Sequence, residues 1–258
     1  MKTFTAAELD DLADAYAVTI DLMAQLPGTR LERAPRGTLL LVSGARIPSL
    51  NLVFSPRHAV ALDEVAALAD AMGTIEAPWS IHSRGKPEPE LLELAASHGL
   101  TAQFDEPLMV LDPADLVTRP TAPSGAVVHV VDVDRREQFL SVFTRGFDAT
   151  VEDFGPLGLP EAFEIPGYTC YLVEVDGRPV ACGGALLSND HVCVVNIATL
   201  PGYRGRGYGR LATEAAIAGG VAAGALTAYL QASADGLPLY ESMGFRTAEN
   251  WSYLVAGH

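Results

Sequence analysis

Cysteine, positive charge and long apolar runs are all scarce in this 258-residue chain. Its three cysteines, Cys170, Cys182 and Cys193, lie in strand-like segments without metal-type spacing. We therefore expect buried, reduced thiols in a cytoplasmic protein without a metal. The first residues turn acidic without an apolar signal core, which predicts no targeting segment. The longest apolar stretch, residues 217–230, is too short to span a bilayer.

Basic residues are outnumbered, with 17 Lys and Arg against 32 Asp and Glu, for a net charge of −15. A surface of this sign repels nucleic acid and anionic membranes, so we expect neither as a partner. Three arginines nevertheless fall close together, at positions 204, 206 and 210. Such a local cluster suits one small polyanion.

Hydrophobic periodicity predicts alternating helices and strands throughout the chain. In the first part we expect helices at residues 5–26, 62–72 and 88–97, with strands at 38–42, 49–54, 78–82 and 107–111. In the second part we expect helices at 135–146, 210–223 and 237–243, with strands at 127–132, 170–175, 180–188, 192–199, 226–231 and 251–255. Thr5 is a predicted helix cap, and Asp176-Gly177 predicts a hairpin turn.

A Pro-rich segment separates two parts whose C-terminal ends look alike. The predicted division is a first domain at residues 1–118, a linker at 119–126 and a second domain at 127–258. His98-Gly99-Leu100 before one closing strand parallels Met243-Gly244-Phe245 before the other. These parallels indicate an internal duplication, although chance similarity between two α/β domains is the alternative.

The most informative segment runs from Thr199 to Arg210, between a predicted strand and a predicted helix. Gly205, Gly207 and Gly209 allow a tight turn with exposed backbone N–H groups. At a helix start, such groups and the helix dipole converge on one anion. The segment therefore predicts a phosphate-binding loop. The corresponding place in the first part, residues 55–59, has no glycine.

Two familiar phosphate-binding loops do not fit this segment. A P-loop needs Lys-Ser or Lys-Thr after the glycines, and none follows here. A dinucleotide fingerprint needs its third glycine one position later, together with a ribose-binding acid that is not in place.

The segment resembles motif A of the GNAT N-acetyltransferase superfamily, in Arg204-Gly205-Arg206-Gly207-Tyr208-Gly209. Leu239-Tyr240-Glu241-Ser242-Met243-Gly244-Phe245 resembles the last motif of that family. The resemblance covers about residues 125–256. It implies an α/β (α+β) fold of two GNAT-like domains, each a mixed, mostly antiparallel twisted sheet flanked by helices. Only the second domain would keep the cofactor site.

The resemblance implies acetyl-CoA, or another short acyl-CoA, as co-substrate. Its pyrophosphate would lie on the amides of residues 205–210, and its pantetheine arm along residues 197–199. Tyr240 would protonate the CoA thiolate, and Ser233 stands where the family often carries an Asn that contacts the cofactor arm. Gly236 also replaces a usual Ala. The expected cofactor-binding residues are Ile197, Ala198, Thr199, Arg204, Gly205, Arg206, Gly207, Tyr208, Gly209, Arg210 and Ser233.

The implied function is N-acyl transfer by direct attack of an amine, and the alternative is a non-catalytic acyl-CoA sensor. No general base is assigned, because Glu174, Asp148, His129 and His191 have ordinary structural explanations. The acceptor would be a small-molecule amine or a lysine side chain. We expect a monomer or homodimer, in which the first domain either walls the acceptor pocket or serves only dimerisation or stability.

Overall fold

The computed structural model describes residues 4–118 and 123–257 of the chain, so residues 119–122 of the predicted linker lie outside the described residues. The first part contains, in chain order, α1 (Ala6–Met23), β1 (Arg30–Arg33), β2 (Leu39–Val42), β3 (Leu52–Ser55), α2 (Leu62–Met72), β4 (Ser80–Arg84), α3 (Pro89–Ser97) and β5 (Ala102–Leu111). The second part contains β6 (Ala126–Val130), α4 (Arg136–Gly146), β7 (Tyr168–Val175), β8 (Arg178–Ser188), β9 (His191–Thr199), α5 (Tyr208–Ala222), β10 (Thr227–Gln231), α6 (Leu237–Ser242) and β11 (Arg246–Val255).

These strands form one continuous 11-stranded sheet in the order β1-β2-β3-β4-β11-β5-β10-β9-β8-β7-β6. The two parts exchange their last strands. β5, from the first part, pairs with β10 of the second part, and β11, from the second part, pairs with β4 of the first. β5 and β11 also pair with each other, antiparallel, at the centre. The two predicted sheets are therefore joined and interlocked.

The sheet has the same order on both sides of its centre. Strands β1 to β5 correspond in position to β7 to β11, and β6 is an additional strand at one edge. Each side holds one parallel pair, β3 with β4 and β9 with β10, and the remaining pairs are antiparallel. This correspondence supports the predicted duplication, because it is the pattern that two copies of one unit leave.

Helix α1 begins where the sequence predicts it, at a capping box. Thr5 accepts from the N–H of Glu8, and the Glu8 carboxylate accepts from the N–H of Thr5. The helix then crosses to the second part and packs on β8 and β9. Its Tyr16 ring meets Phe54 and Trp251 edge-on, with ring centroids 5.1 and 5.0 Å apart. The first part thus covers one face of the second part's strands.

Most predicted elements are confirmed, and the hairpin turn is confirmed with positive φ at both Asp176 and Gly177. The predictions missed one strand and made two others too short. β1, with the sequence Arg-Leu-Glu-Arg, was missed because it lacks an apolar alternation. β5 and β11 begin five residues earlier than predicted, at Ala102 and Arg246. Within the described residues, no helix is both long and apolar enough to cross a membrane.

Candidate functional site

The parallel strands β9 and β10 pair only at their beginnings. The register joins His191, Val192 and Cys193 to residues 227–229 and stops there. Beyond Cys193, β9 is still paired with β8 on its other side. The rest of β9, residues 194–199, therefore has one open edge, and its backbone groups there need another partner.

A β-bulge lies in the open part of β9. The register with β8 shifts between Cys182 and Gly184, and Asn196 adopts a left-handed conformation with φ 57°. The Asn196 side-chain amide donates to the Tyr168 hydroxyl at 2.7 Å, which holds the bulge in place. A bulge of this kind turns the strand and redirects its backbone groups. Ile197, Ala198 and Thr199 follow directly.

The glycine segment leads from β9 into α5. Gly207 is the N-cap of α5 with φ 91°, no side chain caps this helix end, and its first turn contains no acidic residue. The first N–H groups of α5 thus have no intrahelical partner and share the positive end of the dipole. A Cβ at Gly205 would meet no atom within 4 Å, whereas one at Gly209 would lie 3.2 Å from Thr199 Oγ1. Gly205 leaves space for a ligand, and Gly209 lets α5 approach β9 closely.

The three arginines of this segment have different surroundings. Arg204 donates to the carbonyl oxygens of Gly146, at 2.8 Å, and Thr199, at 3.2 Å, so it ties α4 to the end of β9. Arg210 is buried and donates to the Val117 carbonyl at 2.7 Å and to Ser242. The Arg210 guanidinium therefore stabilises the fold, and only the backbone N–H of this residue would be available to a phosphate. Arg206 is exposed, with its guanidinium 5.5 Å from the Tyr203 ring centroid.

A groove of about 750 Å³ runs along the open edge of β9 to the start of α5. Every predicted site residue except Arg206 lines it. Gly146, which sequence reasoning missed, belongs to its wall: a Cβ there would lie 2.7 Å from the Ala198 Cβ. The close approach of α4 to β9 requires a glycine at this position, and no periodicity in the sequence signals it.

Tyr240 lies at the inner end of the groove, on α6, and is 8% exposed. Burial raises the pKa of Tyr240 to about 12, so the phenol stays protonated near neutral pH. A glycine is required at position 236 for steric reasons, because a Cβ there would lie 2.9 Å from the Tyr240 ring. Ser233 Oγ accepts from the Gly236 N–H at 3.2 Å and begins the turn into α6.

The acidic and histidine residues left unassigned by the sequence have mostly structural partners. Glu174 pairs with His129 at 3.1 Å and with Arg135 at 3.2 Å, and His191 pairs with Asp11 at 2.9 Å. Asp148 lines the groove. Among the described residues, no group of three or more His, Cys, Asp or Glu side chains could hold a metal ion.

One acidic residue near Tyr240 was missed altogether. Glu106 lies on β5 and shares a second cavity with Tyr240. The sequence places it just before the predicted strand, with nothing to indicate burial. Only the exchange of β5 and β11 brings it beside the second part.

Part of the chain matches a known protein family. Residues 134–245 match the sequence model described as the Acetyltransferase (GNAT) family. No curated protein sequence matches the chain.

The solved structures similar to the chain share its overall fold. A GCN5-related N-acetyltransferase from Kribbella flavida has a TM-score of 0.70 and 20% identity, with 96% of this chain and 95% of that chain covered. A GCN5-related N-acetyltransferase from Sphaerobacter thermophilus has a TM-score of 0.57 and 15% identity, covering 98% and 93%. At these identities the likeness shows the fold, and it extends over both parts. The family match at residues 134–245 and the shared fold of both parts support a GNAT acetyltransferase-type enzyme.

Proposed function

We propose that the chain transfers a short acyl group, preferably acetyl, directly from CoA to an amine. One observation carries this proposal: the open edge of β9 meets the uncapped start of α5 in a single groove. An extended polar chain and a diphosphate need these two features side by side. Members of the family use acetyl-CoA, and the residues of the groove fit that co-substrate.

The start of α5 would hold the pyrophosphate. Backbone N–H groups from Gly205 to Arg210 are suited to oxygen anions, and the left-handed Gly207 turns the chain around them. Arg206 is exposed beside this turn and adds a positive charge in an acidic protein. The phosphates would thus be bound mainly by backbone groups.

The open edge of β9 would hold the pantetheine arm. The amide groups of that arm can hydrogen-bond to Ile197, Ala198 and Thr199 as an added strand does. The thioester would then lie near the bulge at Asn196. A backbone N–H near Ala198 would stabilise the negative charge that develops on the thioester oxygen.

Tyr240 would act as the general acid. The leaving sulfur needs a proton as the carbon–sulfur bond breaks, and a buried phenol with a raised pKa keeps its proton until then. The first part would serve as the wall of the acceptor site, because α1 packs over β8 and β9. The acceptor would be a small-molecule amine or a lysine side chain. The segment at residues 119–126 would be the linker between the two parts of the chain.

The experiment that tests this function compares wild type with Tyr240→Phe. We expect acetyl-CoA to bind both proteins with equal affinity in calorimetry, while thiol release with amine acceptors falls by about 10²-fold in the variant. Tyr171→Phe is the control, since Tyr171 is a buried tyrosine outside the groove. Binding of acetyl-CoA with no thiol release from wild type would favour the sensor, and no binding at all would refute the site.

A further inference from the structure

A second cavity of about 330 Å³ adjoins the CoA groove. The two share Phe147, Ile197, Ser233 and Tyr240 in their linings. Tyr240 therefore lies at the junction, and a group bound in the second cavity reaches the same phenol as a group in the groove. This is the place that an acceptor must occupy if the proposed function holds.

The wall of the second cavity comes from both parts of the chain and is mainly apolar. α1 contributes Tyr16 and Ile20, and the second part contributes Tyr168 and Leu186. Tyr253, on the exchanged strand β11, completes the aromatic lining. Such a wall favours an apolar body over a hydrated, polar one.

Glu106 is the only Asp, Glu, Lys or Arg side chain among the described residues that line this cavity. It lies on β5, opposite Trp251, and shares a side-chain hydrogen bond with Tyr253. No cationic side chain of the described residues pairs with it. Burial raises its pKa above the ordinary value, and the bond to Tyr253 offsets only part of that rise. A partly buried carboxylate without a cation is a site for a cationic ligand.

The other titratable groups facing this cavity are neutral near pH 7. Burial lowers the pKa of His82 on β4 to about 3 and raises that of Cys193 on β9 to about 12. Burial likewise raises the pKa values of the lining tyrosines, which are Tyr16, Tyr168, Tyr240 and Tyr253. Glu106 is thus the one carboxyl group among the described residues that line this cavity. His82 Nδ1 and Gln231 Nε2 are buried without a partner among the described residues, so polar atoms remain for a ligand.

We propose that the acceptor is a primary monoamine with an apolar body, whose ammonium group binds Glu106 and gives that carboxylate its proton. The inference rests on the proposed function and names its substrate class. A polyamine fits poorly, because its second ammonium group would be buried against apolar side chains without a partner.

Glu106 and Tyr240 handle the protons of the transfer. Glu106 takes one proton from the ammonium group, and the neutral nitrogen forms the new C–N bond with the acyl carbon. The C–S bond breaks, and its electron pair takes the Tyr240 proton to give the free thiol. The nitrogen's second proton restores Tyr240 as the amide forms, and Glu106 releases its proton to water. Amine and acyl-CoA thus yield amide and CoA.

The test uses thiol release by the full chain with acetyl-CoA and four amines: phenethylamine, hexylamine, spermidine and a lysine-containing peptide. We expect the two apolar monoamines to have the highest kcat/KM. Glu106→Gln should lower that value by about 10²-fold without changing acetyl-CoA affinity. Glu106→Asp should retain part of it, and Glu241→Gln, the same change on an exposed residue of α6, should have no effect.

The pH profile separates a proton acceptor from a structural role. Wild-type kcat/KM should rise with pH through the raised pKa of Glu106. The Glu106→Gln variant can use only the unprotonated amine. Its loss of kcat/KM relative to wild type should therefore become smaller as the pH approaches the pKa of the acceptor.

Several results would overturn the inference while leaving the proposed function intact. They are preferred use of spermidine or of the peptide, a Glu106→Gln protein that binds acetyl-CoA and keeps wild-type turnover, or a deficit independent of pH. A strong preference for octanoyl-CoA over acetyl-CoA would do the same, because it would place an acyl chain in the second cavity. If acetyl-CoA does not bind, or no amine is acylated, the proposed function itself fails.

Discussion

The parallel strand pairs of the two parts differ at the place where a cofactor arm would enter. In the first part every residue of β3, Leu52–Ser55, pairs with a residue of β4. In the second part β9 leaves β10 after Cys193. Beside the end of β3, the buried Arg84 donates to the Pro56 carbonyl at 3.0 Å and pairs with Glu249 at 2.8 Å. The strand pair β3–β4 is thus closed along its length, whereas the pair β9–β10 opens after its first residues. We call these two regions the closed side and the open side.

The helices that connect the two strands of each pair, α2 and α5, differ in the acidic residues of their first turns. The first turn of α2 contains Asp63 and Glu64, whereas that of α5 contains no acidic residue. Glu64 accepts hydrogen bonds from the Arg36 N–H at 2.6 Å and from the Thr38 hydroxyl at 2.8 Å. The first turn of α2 thus carries carboxylates, which suit the positive end of its dipole and disfavour an anionic ligand there. We infer that binding and folding are divided between the parts, although each still needs the other's last strand.

Separating the parts should have the largest effect. A fragment of residues 119–258 lacks β5, which pairs with both β10 and β11. We expect this fragment to lose cooperative unfolding and acetyl-CoA binding, because two strands lose their central partner. A longer fragment that starts at Ala102 keeps β5 and should keep more helical and strand signal in circular dichroism. If the shorter fragment unfolds cooperatively and binds acetyl-CoA with native affinity, the parts are independent.

Placing an acidic side chain at the start of α5 should abolish binding without unfolding the protein. Gly207→Asp places a side chain and a negative charge at the start of α5, at a residue with φ 91°. The conformation itself costs about 1–2 kcal/mol for a residue with a Cβ. Gly224→Asp, with φ 107° just past the end of the same helix, is the matched control. We expect calorimetry to detect no acetyl-CoA binding to the first variant and normal binding to the second. Equal acetyl-CoA affinity of the two variants would show that the start of α5 does not bind the phosphates.

The sequence predicts what depends on neighbouring residues. The glycine segment, the hairpin at Asp176-Gly177 and the cap at Thr5 all follow from local conformational preferences, and the structure confirms their local conformations. The Gly146 contact with β9 depends on distant packing, so sequence reasoning missed it.

The strand exchange was also beyond sequence reasoning. Two similar closing strands, β5 and β11, can each complete either side of the sheet, and periodicity does not distinguish the two pairings. Glu106 was missed for the same reason, since its cavity forms only when β5 lies beside β10.

The smallest expected effect concerns the closed side. Burial opposes ionisation of Glu64, but the hydrogen bonds from Arg36 and Thr38 outweigh it and lower its pKa. A lowered pKa stabilises the folded state above the ordinary glutamate pKa of about 4.3, and this stabilisation is lost as the pH falls through the folded-state value. Glu64→Gln should therefore lower the free energy of unfolding in urea at pH 7, with a difference that narrows on acidification. Glu90→Gln, in the first turn of α3 and exposed, should change little. Acetyl-CoA affinity should stay unchanged in both variants, and a loss of affinity in Glu64→Gln would show that the closed side also contributes to binding.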